Sequence, residues 1–152
     1  MLFRSLTIFM PGLTGPSWLA RSALPVTASG HLAVDARARV EGLERVYAVG
    51  DSAAFPGPLW QAKQAHTAEL QAEAAAANLV AELRGRTPER AVRHEVINVF
   101  DSLDRAAFVY RDARGQITLP PNPVAHYLKL GLEAQALRKY APLRRPARGR
   151  SA

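Results

Sequence analysis

The sequence predicts an α/β fold, and three observations predict it. Short apolar runs bounded by Gly, Pro and Asp read as strands at residues 6–10, 30–35 and 45–49. A stretch dominated by alanine and free of Gly and Pro, residues 59–83, reads as one long helix. Two more apolar runs, 96–100 and 106–110, are joined by a polar Asp-Ser-Leu-Asp and read as a β-hairpin. An amphipathic helix follows over 122–140.

Each element has its own signal. The run at residues 6–10 is closed by Pro11-Gly12 and reads as a buried strand. After it comes a loop with a single helical turn that Ser17 is placed to cap. Residues 30–35, Gly-His-Leu-Ala-Val-Asp, enter through a glycine turn. Residues 45–49, Arg-Val-Tyr-Ala-Val, run straight into Gly50-Asp51 and a loop of small residues. The long helix stops at Gly85 in the manner of a C′ residue. Residues 86–95 form a charged connection, and 117–119 allow a third short strand after the hairpin. Asn122 followed by Pro123 is an N-cap and N1 pair for the last helix.

Composition narrows the chemistry. At 152 residues the chain can bury a core. It has no cysteine, which excludes disulfides, thiol chemistry and thiolate metal sites within it. The histidines His31, His66, His94 and His126 are scattered without metal-ligand spacing. The net charge of +7 is concentrated at the end: six basic residues and no acid follow Glu133. Such a tail fits an anionic surface or a solvated disordered segment, residues 141–152. Nucleic-acid binding has little support, since no aromatics interleave the basic residues. No stretch is long and apolar enough to span a bilayer, and the first residues make a poor signal peptide.

The stretch from Gly30 to Phe55 carries a pattern. A strand of the form G-x-[IL]-x-V-D is followed by G-x-x-x-[VI]-[FY]-A-[VI]-G-D. It is met by Gly30, Val34, Asp35, Gly42, Val46, Tyr47, Ala48, Val49, Gly50 and Asp51. This resembles the last flavin-contacting segment of FAD-dependent pyridine nucleotide oxidoreductases with two dinucleotide-binding domains. The helix ending Asn-Leu-Val-Ala-Glu-Leu-Arg-Gly at 78–85 is also typical of that family. The loop after Met10, the hairpin and the closing helix are most similar to the sulfide:quinone oxidoreductase and type II NADH dehydrogenase branch.

The resemblance implies a partial FAD-binding Rossmann-like unit at 30–85. Residues 1–29 would be the remnant of a preceding nucleotide-binding domain and crossover, 86–121 a hairpin region, and 122–140 a membrane-docking helix. It implies that Asp51 contacts the ribityl chain while Gly50 lets the backbone approach. The start of the long helix, 59–64, would face the flavin ring with Lys63 and Gln64 as polar contacts. The alternatives are that Asp51 only caps a turn, that Lys63 is an exposed helix lysine and that Trp60 is a packing aromatic. No G-x-G-x-x-G occurs in the chain, so the turn that grips the pyrophosphate is expected from an N-terminal half. The chain then reads as the carboxyl-terminal part of a truncated or split enzyme, inactive alone. The complete enzyme would use FAD with NAD(P)H or sulfide as donor and quinone as acceptor. It would be cytoplasmic and peripheral at the inner face of the membrane. Thiol-based sulfide oxidation draws no support from a chain without cysteine. A different class remains open: a non-catalytic basic module binding a membrane surface or nucleic acid.

Overall fold

Glycine and aspartate punctuation cuts the first half of the chain into very short strands. In the computed structural model, which describes residues 8, 9 and 11–141, two compact units meet in sequence between His94 and Glu95. In the first, β1 (Leu32–Ala33) pairs in parallel with β2 (Ala53–Ala54), Leu32 opposite Ala53. Isolated bridges extend this ladder: Val26 to Leu32, Val34 to Val40 and Arg39 to Tyr47.

The expected strand at 45–49 is therefore corrected to a ragged segment. It bonds back onto 38–40 (Val40 N–H to Val46 O, 2.8 Å; Ala48 N–H to Ala38 O, 3.0 Å) without regular ladder geometry. The cause is local: Ala38 and Arg45 both sit at positive φ, 67° and 58°, and break the extended run at each turn. Asp35 holds the first of these turns, its Oδ1 accepting from the Arg37 and Arg39 amides at 2.8 and 3.0 Å.

Helix α1 (Ala65–Leu83) lies on this framework. Its buried residues are Thr67, Gln71, Ala74, Ala75 and Asn78, at the three- and four-residue spacing of a single helix face. The alanines allow close approach. The core that results is small-residue and aliphatic: Leu19, Leu32, Val34, Val40, Ala53, Phe55, Ala74 and Val92 are all part of it. The helix ends as expected at Gly85, φ +68°. The Gly85 amide donates to Glu82 O at 3.0 Å and the Arg86 amide to Ala81 O at 2.8 Å, a Schellman closure.

The start of α1 differs from expectation. Residues 59–64 are loop, and the helix begins six residues later than its composition suggests. Tertiary bonds hold the loop: Gln61 N–H reaches Pro58 O at 3.1 Å and the Gln61 amide group donates to Phe55 O at 3.1 Å. The single turn expected near Ser17 is a 3-10 turn at Leu19–Arg21 with Trp18, not Ser17, at its N-cap. The strand expected at 6–10 falls mostly outside the described residues, and its described members Ile8 and Phe9 are exposed and not in a strand.

The second unit is an antiparallel meander, β3 (Val96–Ser102), β4 (Arg105–Asp112) and β5 (Gly115–Asn122), followed by α2 (Pro123–Tyr140). The hairpin is as expected, and the third strand is longer than the 117–119 expected. It carries Pro120 and Pro121, tolerated because β5 is an edge strand. Asn122 caps α2, its Oδ1 accepting from the Ala125 amide at 2.8 Å, with Pro123 at N1.

Register places Ile97, Val99, Asp101, Ala106, Phe108, Tyr110, Ile117 and Leu119 on one sheet face. Helix α2 docks at one end of that face, where Asp101 binds His126 Nδ1 and Lys129 Nζ, each at 2.8 Å. The apolar residues of α2 do not form the single stripe expected. At 3.6 residues per turn Val124, Tyr127, Leu128 and Leu132 run broadly down one side and Leu130 and Leu137 lie well round from them. All six are exposed, and Ala125 is the only buried residue of the helix. The basic tail expected at 141–152 lies, except for Ala141, outside the described residues.

Candidate functional site

The Gly50-Asp51 turn is held from three directions. Gly50 adopts φ +63°, a conformation that favours glycine, and opens a 3-10 turn over Gly50–Ser52. The Gly50 amide donates to Gln71 Oε1 at 2.7 Å, which pins the turn to the buried face of α1. Lys63 closes it from the other side: its ammonium donates to Ala53 O at 2.8 Å and Gly50 O at 3.3 Å. Ser52 Oγ donates to Val49 O at 2.9 Å.

Asp51 is left exposed on this rigid turn. Its carboxylate makes no hydrogen bond or ion pair among the described residues, and acts through space on Lys63 and His31. Burial lowers the pKa of Lys63, and the negative charge of Asp51 opposes that shift. A pre-positioned carboxylate beside a glycine turn suits a ligand hydroxyl, which it would accept as a hydrogen-bond donor.

Each residue expected at the site has a place in it. Gly50 and Asp51 form the turn and Lys63 clamps it. Lys63 is therefore neither a helix residue nor a freely solvated lysine. Gln64 is the N-cap residue of α1, extended at φ −134° and ψ 156°. Its carbonyl accepts the Ala68 amide at 2.9 Å, and its side chain supplies no cap bond. Trp60 sits half-buried in the loop before the helix.

Two members of the site were not foreseen. Gln71 was hidden in an alanine-rich helix, where a polar residue reads as solvent-facing. Alternation along 30–35 does not predict burial of both His31 and Leu32, which are 5 % exposed each. A signal for Gln71 did exist: it lies four residues after Thr67 and seven before Asn78, on the face that carries Ala74.

Behind Lys63 lies a cavity of about 250 Å³, lined by His31, Ala53, Phe55, Gln61, Lys63 and Gln71 among others. The His31 pKa is lowered by burial and by the Lys63 charge, with Asp51 pulling the other way. Among the described residues no three His, Asp or Glu side chains gather in a metal-binding group, and no helix is long and apolar enough to cross a membrane.

No known family profile matches the chain, and no curated protein matches it significantly.

The residues present suit one end of a flavin dinucleotide better than the other. A rigid carboxylate on a glycine turn, next to the amino-terminal end of a 19-residue helix, suits a polyhydroxyl chain and the electron-rich edge of a ring. No glycine-rich turn of the pyrophosphate-gripping kind occurs in the sequence.

Proposed function

We propose that residues 30–85 are the ribityl- and ring-side part of an FAD site in an oxidoreductase that is NAD(P)H- or sulfide-linked and reduces quinone. The observation that carries this reading is the uncommitted Asp51 carboxylate, presented by a positive-φ glycine turn that Gln71 and Lys63 both fix. FAD, when bound, supplies the redox chemistry. This chain's part is to bind and orient: Asp51 accepts ribityl hydroxyls, and Gly50 keeps side-chain atoms out of the approach. The amino-terminal end of α1 faces the ring with the partial positive charge of the helix dipole. The pyrophosphate grip comes from another segment, on the same polypeptide or a separate one.

The test joins the chain to a segment carrying that glycine-rich turn and measures flavin retained after dialysis. Asp51→Ala removes a charge-assisted hydrogen bond worth roughly 1.5–3 kcal/mol. Flavin affinity is expected to fall by about one to two decades while folding is kept. Equal flavin occupancy in both proteins rejects the assignment. The chain without such a segment is expected to bind FAD weakly or not at all.

A second reading is favoured by a separate observation, the exposure of Val124, Leu128, Leu130, Leu132 and Leu137 on α2 ahead of a run of basic residues. In this reading the segment from Asn122 onward rests on an anionic membrane surface, worth about 1 kcal/mol per basic residue before screening. Burial of the leucines adds a part that salt does not remove. Co-sedimentation with anionic vesicles is expected to fall with salt without vanishing. Equal sedimentation of a chain cut before Asn122 rejects it.

A further inference from the structure

Helix α1 has a second apolar face, which stays open among the described residues. Its buried residues, Thr67, Gln71, Ala74, Ala75 and Asn78, occupy one side. On the opposite side Ala72, Ala76, Leu79 and Leu83 recur at steps of four, three and four residues, with Val80 beside them. At 3.6 residues per turn that spacing draws one seam along the helix. All five are exposed, Leu83 at 72 %. Apolar residues scattered singly over a surface are ordinary, but a regular seam of them points to a partner.

The order of sizes along the seam says which partner fits. The two alanines come first and the two leucines after them. Laid antiparallel against a second copy, Ala76 falls opposite Leu79 and Ala72 opposite Leu83, and two-fold symmetry repeats both pairings. Each leucine then enters the gap left by an alanine, and the two helix backbones can approach closely. In a parallel pairing alanine meets alanine and leucine meets leucine, which leaves gaps at one end and crowding at the other.

Charge selects the same arrangement. The acids on this side of the helix come early, Glu69 and Glu73, and the bases come late, Arg84 and Arg86. Antiparallel pairing brings the early acids of one copy to the late bases of the other, with Glu73 within a turn of Arg84. Parallel pairing sets like charges together. Glu82, the remaining acid near the end of α1, is engaged with Arg39 at 3.7 Å.

We propose that the outer face of α1 binds a second copy of this chain, antiparallel, as a transient two-fold dimer. A helix of 19 residues is about 28 Å long, so a seam about 10 Å wide covers about 300 Å². A stable interface takes about 800 Å² from each partner, and the smaller area is that of a weak contact. The inference rests on the face of α1 that points away from Gln71 and the Gly50-Asp51 turn, so its failure leaves the flavin reading untouched.

The test is sedimentation velocity of the whole chain over a concentration series reaching about 1 mM, where a reversible shift from monomer to dimer is expected. Ala76→Glu puts a good helix former at an exposed position and is expected to weaken the dimer roughly ten-fold or more. Glu73→Arg and Arg84→Glu are each expected to weaken it several-fold, and the two changes in one chain to restore it, because every pair again carries opposite signs. Far-UV circular dichroism checks that each variant is folded. None of these changes falls on the exposed leucines of α2, so association through that helix would not respond to them. The proposal is overturned by a chain that stays monomeric at about 1 mM, by self-association that a folded Ala76→Glu leaves unchanged, or by a double variant as weak as either single one.

Discussion

Asn78 is the residue whose loss should do most damage for its size. It is 1 % exposed, on the buried face of α1, and makes three hydrogen bonds. Its amide nitrogen donates to Arg37 O at 3.0 Å and Arg90 O at 2.8 Å, and its Oδ1 accepts the Arg90 amide at 2.9 Å. One side chain thus joins the helix to the turn after β1 and to the segment at residue 90. Each bond contributes about 0.5–1.5 kcal/mol net, so Asn78→Ala should cost about 3 kcal/mol, with the two carbonyls and one amide left without partners. That is a large share of the roughly 5–15 kcal/mol available to a domain. At a urea slope of about 1–3 kcal/mol/M the midpoint should drop by roughly 1–3 M, followed by far-UV circular dichroism. Asn78→Asp should be worse than alanine, because it turns a buried negative oxygen toward two carbonyl oxygens. A loosened α1 also draws Gln71 away from Gly50, so the site should fail with the helix. An Asn78→Ala midpoint equal to wild type, or an Asp variant milder than the Ala variant, refutes this account.

Gly15→Ala places a Cβ about 1.8 Å from the Gly30 carbonyl oxygen, a backbone atom that must shift. The expected cost is about 1–3 kcal/mol, read as a lower melting temperature, with displaced His31 signals because Gly15 also bonds Ser29 O. In the second unit the bonds from Lys129 and His126 hold the Asp101 pKa below its usual value. The stability this confers is present above the unfolded carboxylate value of about 3.9 and is lost as pH falls through the folded value. Protection of the α2 amides, expressed relative to their unfolded exchange rates at each pH, should therefore fall on acidification through that range in wild type. In Asp101→Asn the protection should be lower at neutral pH and nearly flat below it; parallel protection profiles for the two proteins would contradict the assignment.

The sequence by itself determined the elements whose signals are local. Alanine content marked the body of α1, the positive-φ requirement marked Gly85, and Asn122 with Pro123 marked the start of α2. In each case the determinant lies within a turn of the residue it controls. The Gly50-Asp51 turn was legible for the same reason, since a strand-like run ending in glycine and a carboxylate needs no distant partner to be recognised. Tertiary structure alone decided the rest. Residues 59–64 have helical composition, but bonds from Gln61 to Phe55 and from Lys63 to Gly50 and Ala53 hold them as loop. Gln71 and Asn78 look like surface residues of a helix until the carbonyls and amides they satisfy arrive from far along the chain. His31 became a site residue because Ser29 holds one ring nitrogen and the cavity wall encloses the rest. Burial of a polar group depends on which distant backbone groups meet it, and no periodicity in the sequence encodes those meetings.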